Sequence, residues 1–164
     1  MILFLDTEFT ANGPERQLLS LALVADDGSF ELYGERNDVP REHCSDFVLQ
    51  EVLPHFGQFP GAVCSFMELS LRVRLELGRL HRPPTIACDH PVDLDLLLWV
   101  LGNSGAHLVR QPRLSLEGLV EEAVWEQAED AYFATHPRHH ALHDARALRQ
   151  GFHAWIADQR SRMP

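Results

Sequence analysis

The chain has 164 residues, the length of one domain, and a domain of this size can fold without disulfides or a structural metal. Hydrophobic residues make up 45% and charged residues 23% of the sequence, which excludes disorder and low-complexity assembly. The three cysteines (Cys44, Cys64 and Cys88) are an odd number without close pairing, which argues against a secreted disulfide scaffold. We therefore expect residues 1–164 to form a single domain.

Targeting and membrane-spanning signals are absent from the sequence. The first residues do not combine a basic stretch, an apolar run and a small-residue cleavage site, as a signal peptide does. Every apolar run is also far shorter than the ~20 residues that a membrane span requires. These observations predict a cytoplasmic protein without a membrane partner.

The charge balance is strongly acidic. All 14 basic residues are arginines, and the formal net charge is −10. Such a balance disfavours a protein that holds nucleic acid on a broad basic surface, and it suits one that concentrates carboxylates around cations. The remaining positive groups are guanidinium groups, which are well shaped for forked contacts with phosphate.

Strands and helices follow one another in an order typical of a layered fold. Apolar runs bounded by turn residues predict strands at residues 1–9, 17–25, 29–33 and 85–88. Periodicity, caps, composition and proline stops predict helices at residues 44–55, 65–81, 91–101, 114–133 and 141–158. This order predicts an α/β fold in which a mixed β-sheet is flanked by helices.

Local signals set several of these boundaries. Asp26, Asp27 and Gly28 form a turn signal, which predicts a hairpin between the second and third strands. Ser65 and Glu68 have the spacing of a capping box, so the helix that follows should begin directly after Ser65.

Two acidic residues lie at the end of the first strand. Asp6 and Glu8 are two positions apart, so their side chains point to the same face, with Cα atoms about 6.6 Å apart. Two carboxylates at that spacing repel each other by ~2–3 kcal/mol at an effective dielectric constant near 20. The pair is therefore either a solvated strand end or a site that holds a cation.

Two further aspartates lie in line with apolar helix faces. Asp144 shares the face of Ala141 and Leu148, and a buried carboxylate must be protonated, paired or bound to metal. The alternative is an aspartate in the first helical turn that is tilted towards solvent. Asp93 is aligned in the same way with the leucine-rich face of its helix, but an aspartate in the first turn after Pro91 is also ordinary at a helix start. Periodicity alone does not separate Asp93 from Asp95, and Asp89 is also close by.

His139 precedes the last helix. Pro137 indicates that this helix begins after His139, which leaves the imidazole on a loop that can approach the carboxylates. An imidazole can exchange a proton near neutral pH, so His139 is a candidate general base. The alternative is an ordinary surface histidine.

Three segments together resemble a known enzyme superfamily. The segments FLDTEFT (residues 4–10), CDHPVDLDLL (residues 88–97) and HHALHDARAL (residues 139–148) resemble the motifs of the DEDD 3′–5′ exonucleases, in the variant with a histidine in the third motif. Residues 17–35 (QLLSLALVADDGSFELYGE) also resemble small bacterial 3′–5′ exoribonuclease-like proteins. The resemblance implies an RNase H-like fold across the whole chain.

The resemblance also implies roles for particular residues. Asp6, Glu8, Asp93 and Asp144 would hold two Mg²⁺ or Mn²⁺ ions, with Asp6 bridging them, and His139 would be the general base. In the middle segment the family often has an aspartate followed by an aromatic residue, an acid and leucines. Residues 93–97 (DLDLL) fit this pattern apart from Leu94 in the aromatic position, so the resemblance favours Asp93 over Asp89 and Asp95 as the third carboxylate.

Contacts with substrate are the next implication of the resemblance. Thr7 and Phe9 would touch the terminal sugar and base, although Phe9 is equally consistent with a core residue. Arg138, Arg146 and Arg149 lie near the third motif, where they would contact phosphates or remain solvated on the surface.

The expected activity is two-metal-ion hydrolysis that releases nucleoside 5′-monophosphates from the 3′ ends of RNA or single-stranded oligonucleotides. One alternative is a DNA proofreading or repair exonuclease of the same fold, because discrimination by the 2′-hydroxyl depends on pocket geometry. A second alternative is a non-catalytic metal-binding interaction module. A homodimer is a further expectation, from the apolar helices and the habit of the family.

Overall fold

The computed structural model describes residues 1–163 and contains a mixed six-stranded β-sheet with helices on both faces. The strands, numbered along the chain, are β1 (Ile2–Phe9), β2 (Leu18–Ala25), β3 (Glu31–Arg36), β4 (Val63–Cys64), β5 (Thr85–Cys88) and β6 (Arg110–Ser115). Their order across the sheet is β4-β3-β2-β1-β5-β6. The α-helices are α1 (Phe66–Gly78), α2 (Pro91–Gly105), α3 (Ala123–Phe133) and α4 (Ala141–Ser161).

Strand β1 lies at the centre of the sheet. It pairs antiparallel with β2 and parallel with β5, and Phe4 of β1 is opposite Ala87 of β5. All eight residues of β2 are buried, which explains why this strand is an almost unbroken apolar run.

The alternating side chains of β1 divide the core into two layers. Leu3 and Leu5 pack with residues of α1 and α2 on one face. Phe4 packs with Trp125 of α3 and Leu148 of α4 on the other face. The predicted α/β class, with a mixed sheet flanked by helices, is therefore confirmed, and the arrangement is compatible with an RNase H-like fold.

Most predicted boundaries agree with the structure. Ser65 and Glu68 form the capping box at the start of α1, with both reciprocal hydrogen bonds present. Regular helical geometry in α2 is interrupted at Gly102, which has φ +62° and ψ 174°, one residue after the predicted end at Leu101. Helix α4 begins at Ala141 as predicted and runs three residues beyond the predicted end.

The prediction of a helix over residues 114–133 is wrong in its first part. Strand β6 occupies Arg110–Ser115 and pairs in parallel with β5, and α3 begins only at Ala123. Helical composition is a weak guide where a sheet edge offers hydrogen-bond partners, as β5 does here. Gly118, with φ +81°, lies in the turn that separates the strand from the helix.

The predicted helix over residues 44–55 is also wrong. This segment contains a π-helical turn (Val48–Val52) and a 3₁₀ turn (Leu53–His55) instead of a continuous α-helix. Pro54 removes a backbone donor, and the short turns still bury Val48 and Val52 against Leu19. Strand β3 begins two residues later than predicted, and the two-residue strand β4 was not predicted.

Two sequence expectations can be compared with simple structural findings. No helix within residues 1–163 is long and apolar enough to cross a membrane. Cys44, Cys64 and Cys88 are all free thiols.

A close contact between α3 and α4 yields a stability prediction. Gly151 of α4 lies directly beneath the Trp125 indole, and a Cβ atom at this position would overlap the ring. We expect Gly151→Ala to lower the free energy of unfolding by ~1–3 kcal/mol through overpacking, as measured by urea denaturation. Gly78→Ala is the matched control, because a Cβ atom there meets nothing within 4 Å and alanine favours the helix. Equal stability of the two variants would contradict this account of the packing.

Candidate metal centre

Three carboxylates lie where two parallel strands end. Asp6 and Glu8 occupy the second half of β1, and Asp89 directly follows β5. Because Phe4 is opposite Ala87 in the parallel register, the same spacing places Asp89 level with Asp6. The sheet thus brings acids that are 83 positions apart in the sequence to one edge.

Two helices deliver further carboxylates from opposite faces of the sheet. Asp93 lies in the first turn of α2, and Asp144 lies in the first turn of α4. The side chains form two groups, Asp6 with Asp89 and Asp93, and Asp6 with Glu8 and Asp144. Within each group, one oxygen atom per side chain lies within 4.8 Å of the others. Asp6 belongs to both groups, and each group can hold a metal ion.

The structure separates the three candidates for the middle carboxylate. Asp93, the preferred candidate, is buried and lies in the cluster, and Asp89 lies there as well. Asp95 is exposed and lines a different cavity, beside Arg16 and Trp99. The middle segment therefore supplies two acids to the cluster rather than one.

The carboxylates open into a cavity of about 310 Å³. The other lining residues include Thr7 and Phe9 of β1, Glu129 of α3, and Arg138 and His139 of the segment before α4. All seven site residues predicted from the sequence therefore line this single cavity.

Hydrogen bonds fix two of the carboxylates. The Thr7 hydroxyl donates to Oδ1 of Asp93 at 2.6 Å, and the backbone N–H of His140 donates to Oδ2 of Asp144 at 2.7 Å. These contacts leave the second oxygen of each carboxylate for another partner. Since Thr7 is buried and bonded to Asp93, the structure gives it a role in positioning that carboxylate; its predicted contact with substrate stays a prediction.

Burial and mutual repulsion make ionisation of the cluster unfavourable. Burial is the largest cause of the raised pKa values of four carboxyls, and neighbouring carboxylates add to it; the four are Asp6, Glu8, Asp93 and Asp144. The pKa of Glu8 rises to about 8, and those of Asp93 and Asp144 rise to about 7. The pKa of Asp6, which lies nearest the other four acids, is raised well above its usual range.

The donor set fits a hard divalent cation. Every potential ligand is a carboxylate oxygen, which is the ligand that Mg²⁺, Mn²⁺ and Ca²⁺ prefer over the nitrogen and sulfur donors typical of zinc. A cation between these groups would replace repulsion with attraction and would restore their ionised forms at neutral pH.

His139 lies on the loop before α4, as Pro137 predicts. Its backbone has φ +60°, an uncommon conformation for a residue with a side chain, and its exposed imidazole lines the cavity. The edge of the ring packs on Phe47, with centroids 4.9 Å apart. The turn therefore holds the imidazole at the cavity instead of within the helix.

The three candidate arginines have different surroundings. Arg138 lines the cavity, where it bonds Asp130 at 2.8 Å and lies 4.1 Å above the Phe133 ring. Arg146 instead makes a forked ion pair with Glu31, and Arg149 donates to the backbone carbonyl of Asp26. Only Arg138 is therefore placed beside the carboxylates.

Phe9 combines the two roles that the sequence left open. Its half-buried side chain packs against the core, and it also lines the cavity. The guanidinium of Arg16 lies 5.5 Å from the centre of its ring. Contact between Phe9 and a substrate base stays a prediction.

Sequence reasoning missed two features of the site. Glu129 lines the cavity and accepts a hydrogen bond from the Trp125 indole, but its segment lacked a clear boundary. The ring of His140 is fully buried between Tyr33 and Phe59, and neither ring nitrogen has a hydrogen-bond partner among residues 1–163. For Glu129, the helical spacing of four residues from Trp125 was a signal that could have been used. For His140, no pattern in the sequence indicated that the ring is buried.

The raised pKa values predict how stability depends on pH and metal. A carboxyl whose pKa is higher in the folded state binds more protons when folded, so its stabilising contribution is lost as pH rises. We expect the metal-free protein to lose thermal stability between pH 6.5 and pH 8.5, and Mn²⁺ to restore more stability at the higher pH. Above pH 6.5 the buried His140 and His143, with pKa values lowered to about 4, are neutral and add little change.

Differential scanning fluorimetry with EDTA or Mn²⁺ measures this effect. Glu8→Gln should raise the metal-free melting temperature at pH 8.5 and reduce the gain from Mn²⁺, because one acid of the cluster is removed. Glu117→Gln is the control, since this exposed glutamate lies outside the cavity. A metal-free protein that becomes more stable over this pH range would contradict the electrostatic account.

Because the His140 ring is buried without polar partners in the described part of the chain, two substitutions at this position should affect stability differently. Phenylalanine has a similar shape and removes two unpaired polar atoms, so His140→Phe should preserve or increase the free energy of unfolding. His140→Ala should lower it by ~3 kcal/mol or more, because it leaves a cavity between Tyr33 and Phe59. Urea denaturation compares the two variants, and equal destabilisation by both would show that the imidazole nitrogens are needed.

Comparison with known proteins assigns no family to this chain. No protein-family model matches the chain, and no curated protein sequence matches it.

Proposed function

We propose that this protein is a metal-dependent 3′–5′ exonuclease that releases nucleoside 5′-monophosphates from RNA or single-stranded oligonucleotides. The observation that carries this proposal is that Asp6 belongs to two clusters, each of three carboxylate side chains, in one open cavity. His139 lies at the wall of the same cavity. The direction of digestion and the preference for RNA rest on the resemblance of the three motifs.

The two groups identify which side chains would hold two divalent ions. Asp6, Glu8 and Asp144 would hold one, and Asp6, Asp89 and Asp93 would hold the other. Bound there, Mg²⁺ or Mn²⁺ ions supply positive charge that polarises a phosphodiester and makes a water molecule more acidic. Asp89 is an addition to the four carboxylates that the motifs predict.

The chain itself supplies the proton acceptor and the positioning groups. His139 is exposed at the cavity, so its imidazole can take the proton of the attacking water as the new P–O bond forms. The bond from phosphorus to the 3′-oxygen of the preceding nucleotide breaks in the same displacement, and that oxygen leaves as the new 3′-hydroxyl after gaining a proton. The Thr7 hydroxyl and the His140 backbone N–H hold Asp93 and Asp144 in fixed orientations. The Arg138 guanidinium lines the same cavity and is suited to a non-bridging phosphate oxygen.

This arrangement also accounts for the acidic composition of the protein. A chain with a formal net charge of −10 repels nucleic acid at long range. Two divalent cations would place four positive charges at the cavity, so the attraction would be local to the point where a phosphate must bind. Affinity for substrate should accordingly depend on the metal.

The test is digestion of 5′-labelled RNA and DNA oligonucleotides that carry a free 3′-hydroxyl. We expect a ladder that shortens from the 3′ end with Mn²⁺ or Mg²⁺, and no digestion with EDTA. His139→Ala should lower kcat by about 10²–10⁴-fold, the usual contribution of a general base. Glu8→Gln should lower activity at least as much, since a metal ligand is lost.

Asp158→Asn is the matched control for these variants. Asp158 lies on α4, as Asp144 does, but it pairs with Arg162 at the far end of the helix. Full activity of His139→Ala and Glu8→Gln would contradict the assigned site. Preferential digestion of DNA would favour the repair enzyme, and metal binding without any digestion would favour the non-catalytic module.

A further inference from the structure

A groove beside the metal centre is not used by the proposed chemistry. It has a volume of about 470 Å³ and lies between the β1–β2 connection, β3 and α2. Arg16, Arg36 and Trp99 are its largest lining side chains, and Asp95 lies on the same helix wall. We name this feature the Trp99 groove.

The groove offers a flat aromatic platform. Trp99 is 50% exposed, an unusual fraction for so large an apolar side chain. Phe66 covers one part of its indole, with ring centroids 4.2 Å apart, and the Arg36 guanidinium lies 5.8 Å from the ring. Exposed aromatic rings of this kind are stacking surfaces for nucleobases.

The groove also holds a guanidinium that is free of acidic partners. The Nε atom of Arg16 donates to the carbonyl of Gly13 at 2.7 Å, and Arg16 makes no salt bridge within residues 1–163. By contrast, Arg36 is paired with Asp38 at 2.8 Å. Arg16 is therefore the group in this groove that is best placed for a phosphate.

Phe9 connects the groove to the metal centre. Its ring lines the carboxylate cavity and lies beneath Arg16, which lines the groove. Along α2, Asp93 and Trp99 are six residues apart, a rise of about 9 Å. Six residues also rotate the helix by about 240°, so the two side chains are further apart than this rise. At 3.4 Å per stacked nucleotide, the separation corresponds to at least about three nucleotides.

We propose that the Trp99 groove is a second subsite for single-stranded nucleic acid. Trp99 stacks on a base at least about three nucleotides from the scissile phosphate, and Arg16 contacts a backbone phosphate between them. The proposal rests on the proposed function, because the occupant is the same strand that the metal centre cleaves. It predicts that the protein prefers oligonucleotides long enough to reach Trp99.

Binding measurements test this subsite separately from catalysis. The His139→Ala protein with Mn²⁺ is titrated with 5′-labelled pentauridylate by fluorescence anisotropy, and diuridylate is measured by competition. Adding Trp99→Ala should lower the ratio of pentamer affinity to dimer affinity about tenfold, within the range that one base stack contributes. Trp99→Phe should restore most of this ratio. Leu75→Ala, which removes a similarly exposed apolar side chain on α1, should leave it unchanged.

The salt dependence supplies a second measurement. Arg16→Gln should reduce the slope of log affinity against log salt concentration for the pentamer by about 0.7, the value for one phosphate contact on a single strand. An unchanged affinity ratio in Trp99→Ala, an equal drop in Leu75→Ala, or an unchanged slope in Arg16→Gln would overturn the proposal. If the wild-type protein digests no oligonucleotide but the ratio still falls as predicted, the subsite stands and the exonuclease assignment fails.

Discussion

Repulsion among carboxylates gathered around Asp6 is the constraint on which the site depends. Two carboxylates 4.8 Å apart repel each other by about 3–4 kcal/mol at an effective dielectric constant near 20, and Asp6 has four acidic neighbours. The fold imposes this proximity, because β1 and β5 end side by side and α2 and α4 begin there from opposite faces. Such an arrangement destabilises the metal-free protein at neutral pH, and a divalent cation bound among the carboxylates would relieve the repulsion.

The surroundings of the cluster hold it in place and offset its negative charge only in part, as Arg138 does beside Asp144. Thr7 and the His140 backbone orient two carboxylates through hydrogen bonds, but neither contributes a positive charge. The His140 ring secures the start of α4 by packing between Tyr33 and Phe59. The left-handed backbone conformation of His139 directs its own imidazole into the cavity. The arrangement therefore costs stability in the absence of a cation, as is common at sites that bind charged ligands.

Much of this site could be predicted from the sequence, because several of its residues follow local patterns. The spacing of Asp6 and Glu8 on a strand and the position of Asp144 in an apolar stripe are local periodicities, which the structure preserves. The choice among Asp89, Asp93 and Asp95 required the register of β1 against β5, which no local pattern contains. Strand β6 could not be predicted from local patterns for the same reason, because its hydrogen bonds depend on β5, which is distant in the sequence. The burial of His140 likewise depends on residues more than 80 positions away.

Anomalous scattering from crystals grown with Mn²⁺ would test the central claim most directly. The account predicts two peaks per chain, one among Asp6, Glu8 and Asp144 and one among Asp6, Asp89 and Asp93, with Asp6 contacting both ions. Their loss in an Asp6→Asn variant that keeps the same fold would show that the shared carboxylate joins the two sites. Ordered carboxylates without any manganese peak between them, in crystals that bind the ion elsewhere, would contradict the account.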